Sequence, residues 1–91
     1  MLGQVDALFD RHNCTAAYLD VGTNTGVQLR KLFEPHKYPG APVLNIFETV
    51  FGGASRCNVC AIGVEPNPRH AERLRTLQAR LMAAGAPVLV L

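Results

Sequence analysis

The sequence predicts an α/β domain built on a parallel sheet of about three strands, the first half of a doubly wound fold. Three observations carry that prediction. Short apolar runs alternate with stretches of helical periodicity, in the order helix, strand, helix, helix, strand, helix, strand. Each of the first two strands ends in a compact turn, Gly22-Thr-Asn-Thr-Gly26 or Glu65-Pro-Asn-Pro68, that leads directly into a helix. Both connections between successive strands carry a helix, and a crossover of that kind is right-handed in a parallel sheet.

Leu2–His12 sets Leu2, Val5, Leu8 and Phe9 at helical spacing, with Asn13 placed to cap the end. Ala16–Val21 is short and almost continuously apolar, which predicts a strand buried on both faces. After the glycine loop, Val27, Leu29, Leu32 and Phe33 define a second helix that stops at Glu34-Pro35. Pro35, Pro39, Gly40 and Pro42 make a loop. Val43–Phe51 is apolar at 43, 44, 46, 47, 50 and 51, a short amphipathic helix stopped by Gly52-Gly53. The second strand spans about Val59–Val64. In the turn that follows, Asn67 is a natural N-cap and Pro68 suits the first helical position. Arg69–Ala84 carries the clearest helical pattern: Leu74, Leu77 and Leu81 share a face, Arg69, Glu72, Arg73, Arg75 and Arg80 occupy others, and Gly85 ends it. Pro87–Leu91 is the third strand.

In doubly wound sheets the first strand is normally paired on both sides, and here no further strand is left for its second edge. The stop at Leu91, inside an apolar run, reads as an interruption. Residues 1–91 are therefore expected to form one partial domain, with an N-terminal helix in 1–15 and an insertion at 35–56 within the first crossover. An exposed strand edge predicts self-association.

Composition excludes several classes. With 48% apolar and 18% charged residues, the 91-residue chain is not of the disordered type. No apolar run approaches the roughly 18–20 residues of a membrane span. The N-terminal ten residues lack a basic stretch followed by an apolar core, so no signal peptide is visible and the cytoplasm is the default expectation. A net charge of +2 is too small to imply nucleic acid. Cys14, Cys57 and Cys60 are an odd number, unlike a secreted disulfide scaffold. Cys57-x-x-Cys60 lacks the second half of a zinc site, and it enters a strand rather than opening a helix as a redox motif would. The cysteines are read as structural and chemically quiet, with Cys60 packing as a small hydrophobe and no metal bound.

Two signals bear on chemistry. Gly22-x-Asn24-x-Gly26 lies between a strand and a helix, where glycines permit a sharp turn and close ligand approach, and the helix start offers unpaired N–H groups. Asp20 is a charge within an apolar strand, costly to bury unless it meets a ligand or the loop. Glu65 is the first residue past the second strand, where open parallel sheets bind ligands and where an acid can accept hydrogen bonds from ribose hydroxyls. The bland alternatives are an ordinary glycine-rich turn locally capped by Asp20 and a solvated Glu65. The loop is neither a dinucleotide fingerprint, since Asn24 and Val27 stand where glycines belong, nor a P-loop, since no Lys-Ser/Thr follows Gly26. An adenosine ligand without phosphate is the better match, and a nicotinamide-dependent oxidoreductase fragment is the weaker one.

Leu19-Asp-Val-Gly-Thr-Asn-Thr-Gly26 resembles motif I of class I S-adenosylmethionine-dependent methyltransferases, and Ile62-Gly-Val-Glu-Pro-Asn-Pro68 resembles the strand-two motif of their FkbM-type group. The resemblance implies a three-layer Rossmann-like fold and methyl transfer, commonly to an oxygen. Gly22, Asn24 and Gly26 would line the methionine and ribose portion of the cofactor. Asp20 would sit beneath the loop, and Glu65 would hold the ribose hydroxyls. Thr23 and Pro66 complete the implied cofactor-binding residues within the two motifs. The sequence departs from the pattern in separating Asp20 from Glu65 by 45 positions, where about 20 is usual, and in lacking the later strands. Activity of residues 1–91 alone is not expected. His70 opens the third crossover helix and reads as a solvated helix residue, so no catalytic residue is assigned. The competing expectation is a noncatalytic nucleoside-binding or interaction module derived from the same fold.

Overall fold

The structure, a computed structural model, describes residues 2–52 and 56–91. Gly53, the second glycine of the helix stop, and the end of the 35–56 insertion at Ala54 and Ser55 lie outside the described residues. The elements in chain order are α1 (Leu2–His12), β1 (Ala16–Val21), α2 (Val27–Phe33), α3 (Val43–Phe51), β2 (Val59–Val64), α4 (Ala71–Ala83) and β3 (Val88–Val90). Short 3-10 turns occupy Pro35–Lys37 and Pro68–His70. The latter precedes α4, so the helix expected from Arg69 begins as a tighter turn in which Asn67 Oδ1 accepts from the Arg69 N–H at 3.0 Å.

The sheet is parallel throughout, in the order β1-β2-β3, with Ala16 opposite Val59, Val21 opposite Val64 and Ala61 opposite Val88. This is the α/β arrangement expected, compatible with half of a Rossmann-like fold. Alternation along the strands sends Val59, Ala61 and Val88 to one face, where they bury against Leu29 and Leu32 of α2, Phe47 of α3, and Leu77 and Leu81 of α4. Tyr18 joins them from β1, its ring edge-on to Phe47 at 5.3 Å and to Phe51 at 6.4 Å. Residues 43–51 therefore extend the helical layer across β1.

The other face carries Cys60 and is treated differently. The α1 helix packs on β2 and β3 there, and Leu8 is buried. Nothing covers β1 on that side among the described residues. Leu19 and Val21 are 62% and 75% exposed, so β1 alternates between half-buried and exposed residues along its length. The expectation of a strand buried on both faces is thus corrected: β1 is an edge strand, and α1 lies too far toward β3 to shield it.

The reading of the cysteines as quiet thiols is also corrected. Cys14 and Cys60 form a disulfide across 46 positions, with Cα atoms 5.7 Å apart. Cys60 lies opposite Ala17, and Cys14 is three residues before Ala17, so the register of β1 on β2 brings the pair together. Cys57 is exposed and lies outside the disulfide. No helix among the described residues is long and apolar enough to cross a membrane.

Candidate functional site

The carboxyl ends of β1 and β2 lie side by side, and each hands its chain to a polar turn. Val21 opposite Val64 is the last pair of the β1–β2 register. Beyond it, the N–H groups of Gly22 and Thr23 both donate to the Val64 carbonyl, at 2.8 and 3.1 Å, which turns the chain off the sheet at once. The loop then places every second residue in the left-handed region: Gly22 at φ 76°, Asn24 at 56° and Gly26 at 86°. Asn tolerates that conformation better than most side chains, so it stands in the middle position without a glycine.

Thr23 points inward. It is 4% exposed, and its hydroxyl donates to the Asp20 carbonyl at 2.7 Å. Room for it comes from Gly63, where a Cβ would lie 2.6 Å from Thr23 Oγ1. Gly26 is pressed onto α4, and a Cβ there would overlap the Leu77 side chain. The loop is therefore fixed on its underside by Thr23 and Gly26, while the Cβ direction of Gly22 meets no atom within 4 Å.

Glu65 braces the loop from above. One carboxylate oxygen, Oε1, accepts from the Asn24 N–H at 2.7 Å, and Oε2 accepts from the Asn67 N–H at 3.0 Å. These N–H groups, Asn67 first and Asn24 second, hold the carboxyl below the usual range for glutamate. The Glu65 carboxylate thus adds a side-chain link between the two motifs, far apart in sequence, to the backbone bonds from Gly22 and Thr23 to Val64. A carboxylate oxygen has lone pairs for two acceptances, and Glu65, half-buried, uses one on each. Its remaining capacity faces outward.

Asp20 carries the unpartnered polar atom of the group. Its Oδ2 is sealed from solvent and has no hydrogen-bond partner among the described residues. Burial pushes its carboxyl above the usual range, with the Thr23 hydroxyl opposing the shift in part. Pro66 is exposed beside Glu65, and His70 is half-buried at the end of the turn before α4. The structure thus brings Asp20, Gly22, Thr23, Asn24, Gly26, Glu65 and Pro66 to one end of the sheet, with the Thr23 side chain beneath the loop rather than on its open side. Among the described residues, no three His, Cys, Asp or Glu side chains gather as metal ligands would.

No family model, no curated protein and no solved structure matches this chain. The site is read from its own residues.

Gly63 is the contributor that sequence reasoning passed over. A glycine in the middle of an apolar strand is itself the signal, since such positions mark close approach by another segment. The tethering of α2 to α4 was equally hidden. Glu34, at the end of α2, accepts from Arg30 Nε at 3.2 Å, from Lys37 Nζ at 3.1 Å and from both terminal nitrogens of Arg80 on α4. Arg80 foremost, with Lys37 and Arg30, lowers its pKa to about 2, against the cost of burial.

Proposed function

We propose that this chain is the S-adenosylmethionine-binding part of a methyltransferase of the FkbM-like, class I type, acting on an oxygen of a small molecule or glycan. The observation that carries the reading is the Glu65–Asn24 hydrogen bond, which joins the two motifs on which the resemblance rests. Three further features fit the cofactor. Gly22 leaves open space above the loop, Glu65 keeps acceptor capacity for vicinal hydroxyls, and a buried Asp20 oxygen has no partner among the described residues.

In this reading Gly22, Asn24 and Gly26 present backbone to the methionine and ribose portion, and Glu65 and Pro66 flank the ribose. Thr23 acts from below by holding the loop's shape. S-adenosylmethionine, when bound, supplies an electrophilic methyl group. The residues named here bind and orient, which is the larger share of what such a reaction asks of a protein. None of them is assigned as a general base.

The uncovered face and free edge of β1 favour a second reading, a noncatalytic nucleoside-binding module that pairs with another copy or partner through that edge.

Calorimetric titration of Glu65→Ala with S-adenosylhomocysteine tests the primary reading. Loss of a charge-assisted hydrogen bond predicts weaker binding by about 1–3 kcal/mol. Because Glu65 also braces the loop, the melting temperature is measured alongside. Unchanged affinity removes Glu65 from the site.

A further inference from the structure

We propose that the groove between α2 and α4 binds the phosphoryl groups of a small anionic ligand, at a site separate from the nucleoside end of the sheet. The groove is open to solvent, offers about 490 Å³, and is lined by Arg30 and Thr25 on one side and by Arg69, Arg73, Thr76 and Arg80 on the other. That volume is of the size small-ligand sites occupy. Arg73, Thr76 and Arg80 fall at i, i+3 and i+7 of α4, one stripe along the helix, and Arg69 lies in the 3-10 turn that leads into it. At about 1.5 Å per residue the helical part of the stripe is roughly 10 Å long.

The two ends of the stripe differ. At the far end, Glu34 binds Arg80 and Arg30 and neutralises part of their charge. At the near end, Arg69 and Arg73 have no acidic partner within 4 Å among the described residues. Glu72, the one acid among the lining residues, forms no ion pair there either. The near end also violates a local preference. Arg73 lies in the first turn of α4, where a cation opposes the helix dipole. The fold gains nothing visible from these arginines, since both side chains are exposed. An anion would remove that penalty.

The donor set selects the anion. Guanidinium forks match phosphate oxygens two at a time, and the hydroxyls of Thr25 and Thr76 lie in the same lining. Two separated pairs of arginines suit a ligand with more than one charged group, with Arg30 and Arg80 held in place by Glu34. Thr25 sits between Asn24 and Gly26, so the groove opens beside the glycine loop and runs away from it along the helices.

The test is calorimetric titration of the full chain with pyrophosphate at physiological salt, using the wild type, the double variant Arg69→Ala/Arg73→Ala, and Arg75→Ala as a control on α4 outside the groove. Saturable one-to-one binding is expected, weakened about tenfold or more in the double variant and within about twofold of wild type in the control. Absence of saturable binding overturns the proposal, as does an equal loss in Arg75→Ala, which would reduce it to general charge attraction. Neither arginine has an acidic partner among the described residues, so the double variant should melt at or above the wild-type temperature. Its affinity for S-adenosylhomocysteine should be unchanged, whether that affinity is strong or absent. A parallel loss of both ligands would merge the groove with the loop site and overturn the claim of a separate one.

Discussion

The two faces of this sheet are held by different chemistry. On one face, Val59, Ala61 and Val88 meet side chains from three helices, and Leu29 and Leu32 are completely buried. On the other, α1 packs on β2 and β3, and the Cys14–Cys60 disulfide ties the chain between α1 and β1 to the middle strand. Packing dominates the first face and a covalent link substitutes for packing on the second. A small domain buries too little surface to rely on one mechanism alone.

The largest test of this comparison is removal of the disulfide. Closing a loop of 46 positions constrains the unfolded chain by about 4 kcal/mol in the chain-entropy account, so Cys14→Ser/Cys60→Ser should lower denaturant stability by that order. Unchanged stability would mean that α1 docks through packing alone. Next is Leu29→Ala on the three-helix face, which should cost about 3 kcal/mol through lost transfer and a residual cavity. A cost below about 1 kcal/mol would show that face to be loosely packed.

A smaller effect follows acid. The folded-state pKa of Glu34 lies near 2 against an ordinary 4.5, so its contribution is complete above the ordinary value and is lost as pH falls toward 2. Arg80 and Lys37 remain largely in solvent, which discounts the contribution to about 1 kcal/mol. Urea unfolding of wild type and Glu34→Gln at pH 7 and pH 2.5 should show a gap that narrows at the lower pH. The smallest effect is expected where the second face is bare. Leu19→Ser and Val21→Ser should change stability by less than about 0.5 kcal/mol, while reducing any self-association seen in sedimentation. A large loss of stability would mean that β1 is covered on that side.

What the sequence revealed follows the range of the forces involved. Helix bounds at Val43–Phe51 and Val27–Phe33 were legible because proline, glycine and periodicity act locally. So was the Asn67 cap. The pairing of the Gly22–Gly26 loop with Glu65 could be anticipated, since both follow parallel strands and strand ends gather on one side. The hidden features all join distant positions. The Cys14–Cys60 and Glu34–Arg80 links each span 46 residues and depend on register and helix docking. The same apolar composition describes a buried and an exposed strand face, so Leu19 and Val21 carried no sign of their exposure. The sequence places Arg69, Arg73 and Arg80 away from the leucine face, but not opposite Arg30, which stands across the groove from them.

The central claim concerns the loop that Glu65 holds, and it is tested most directly by recording backbone amide spectra of the ¹⁵N-labelled chain during titration with S-adenosylhomocysteine, with NADH as the comparison ligand. The amides of Gly22 to Gly26 and of Asn67 are predicted to shift saturably with S-adenosylhomocysteine and not with NADH. A well-dispersed spectrum in which those amides stay fixed, or follow both ligands alike, would contradict the account.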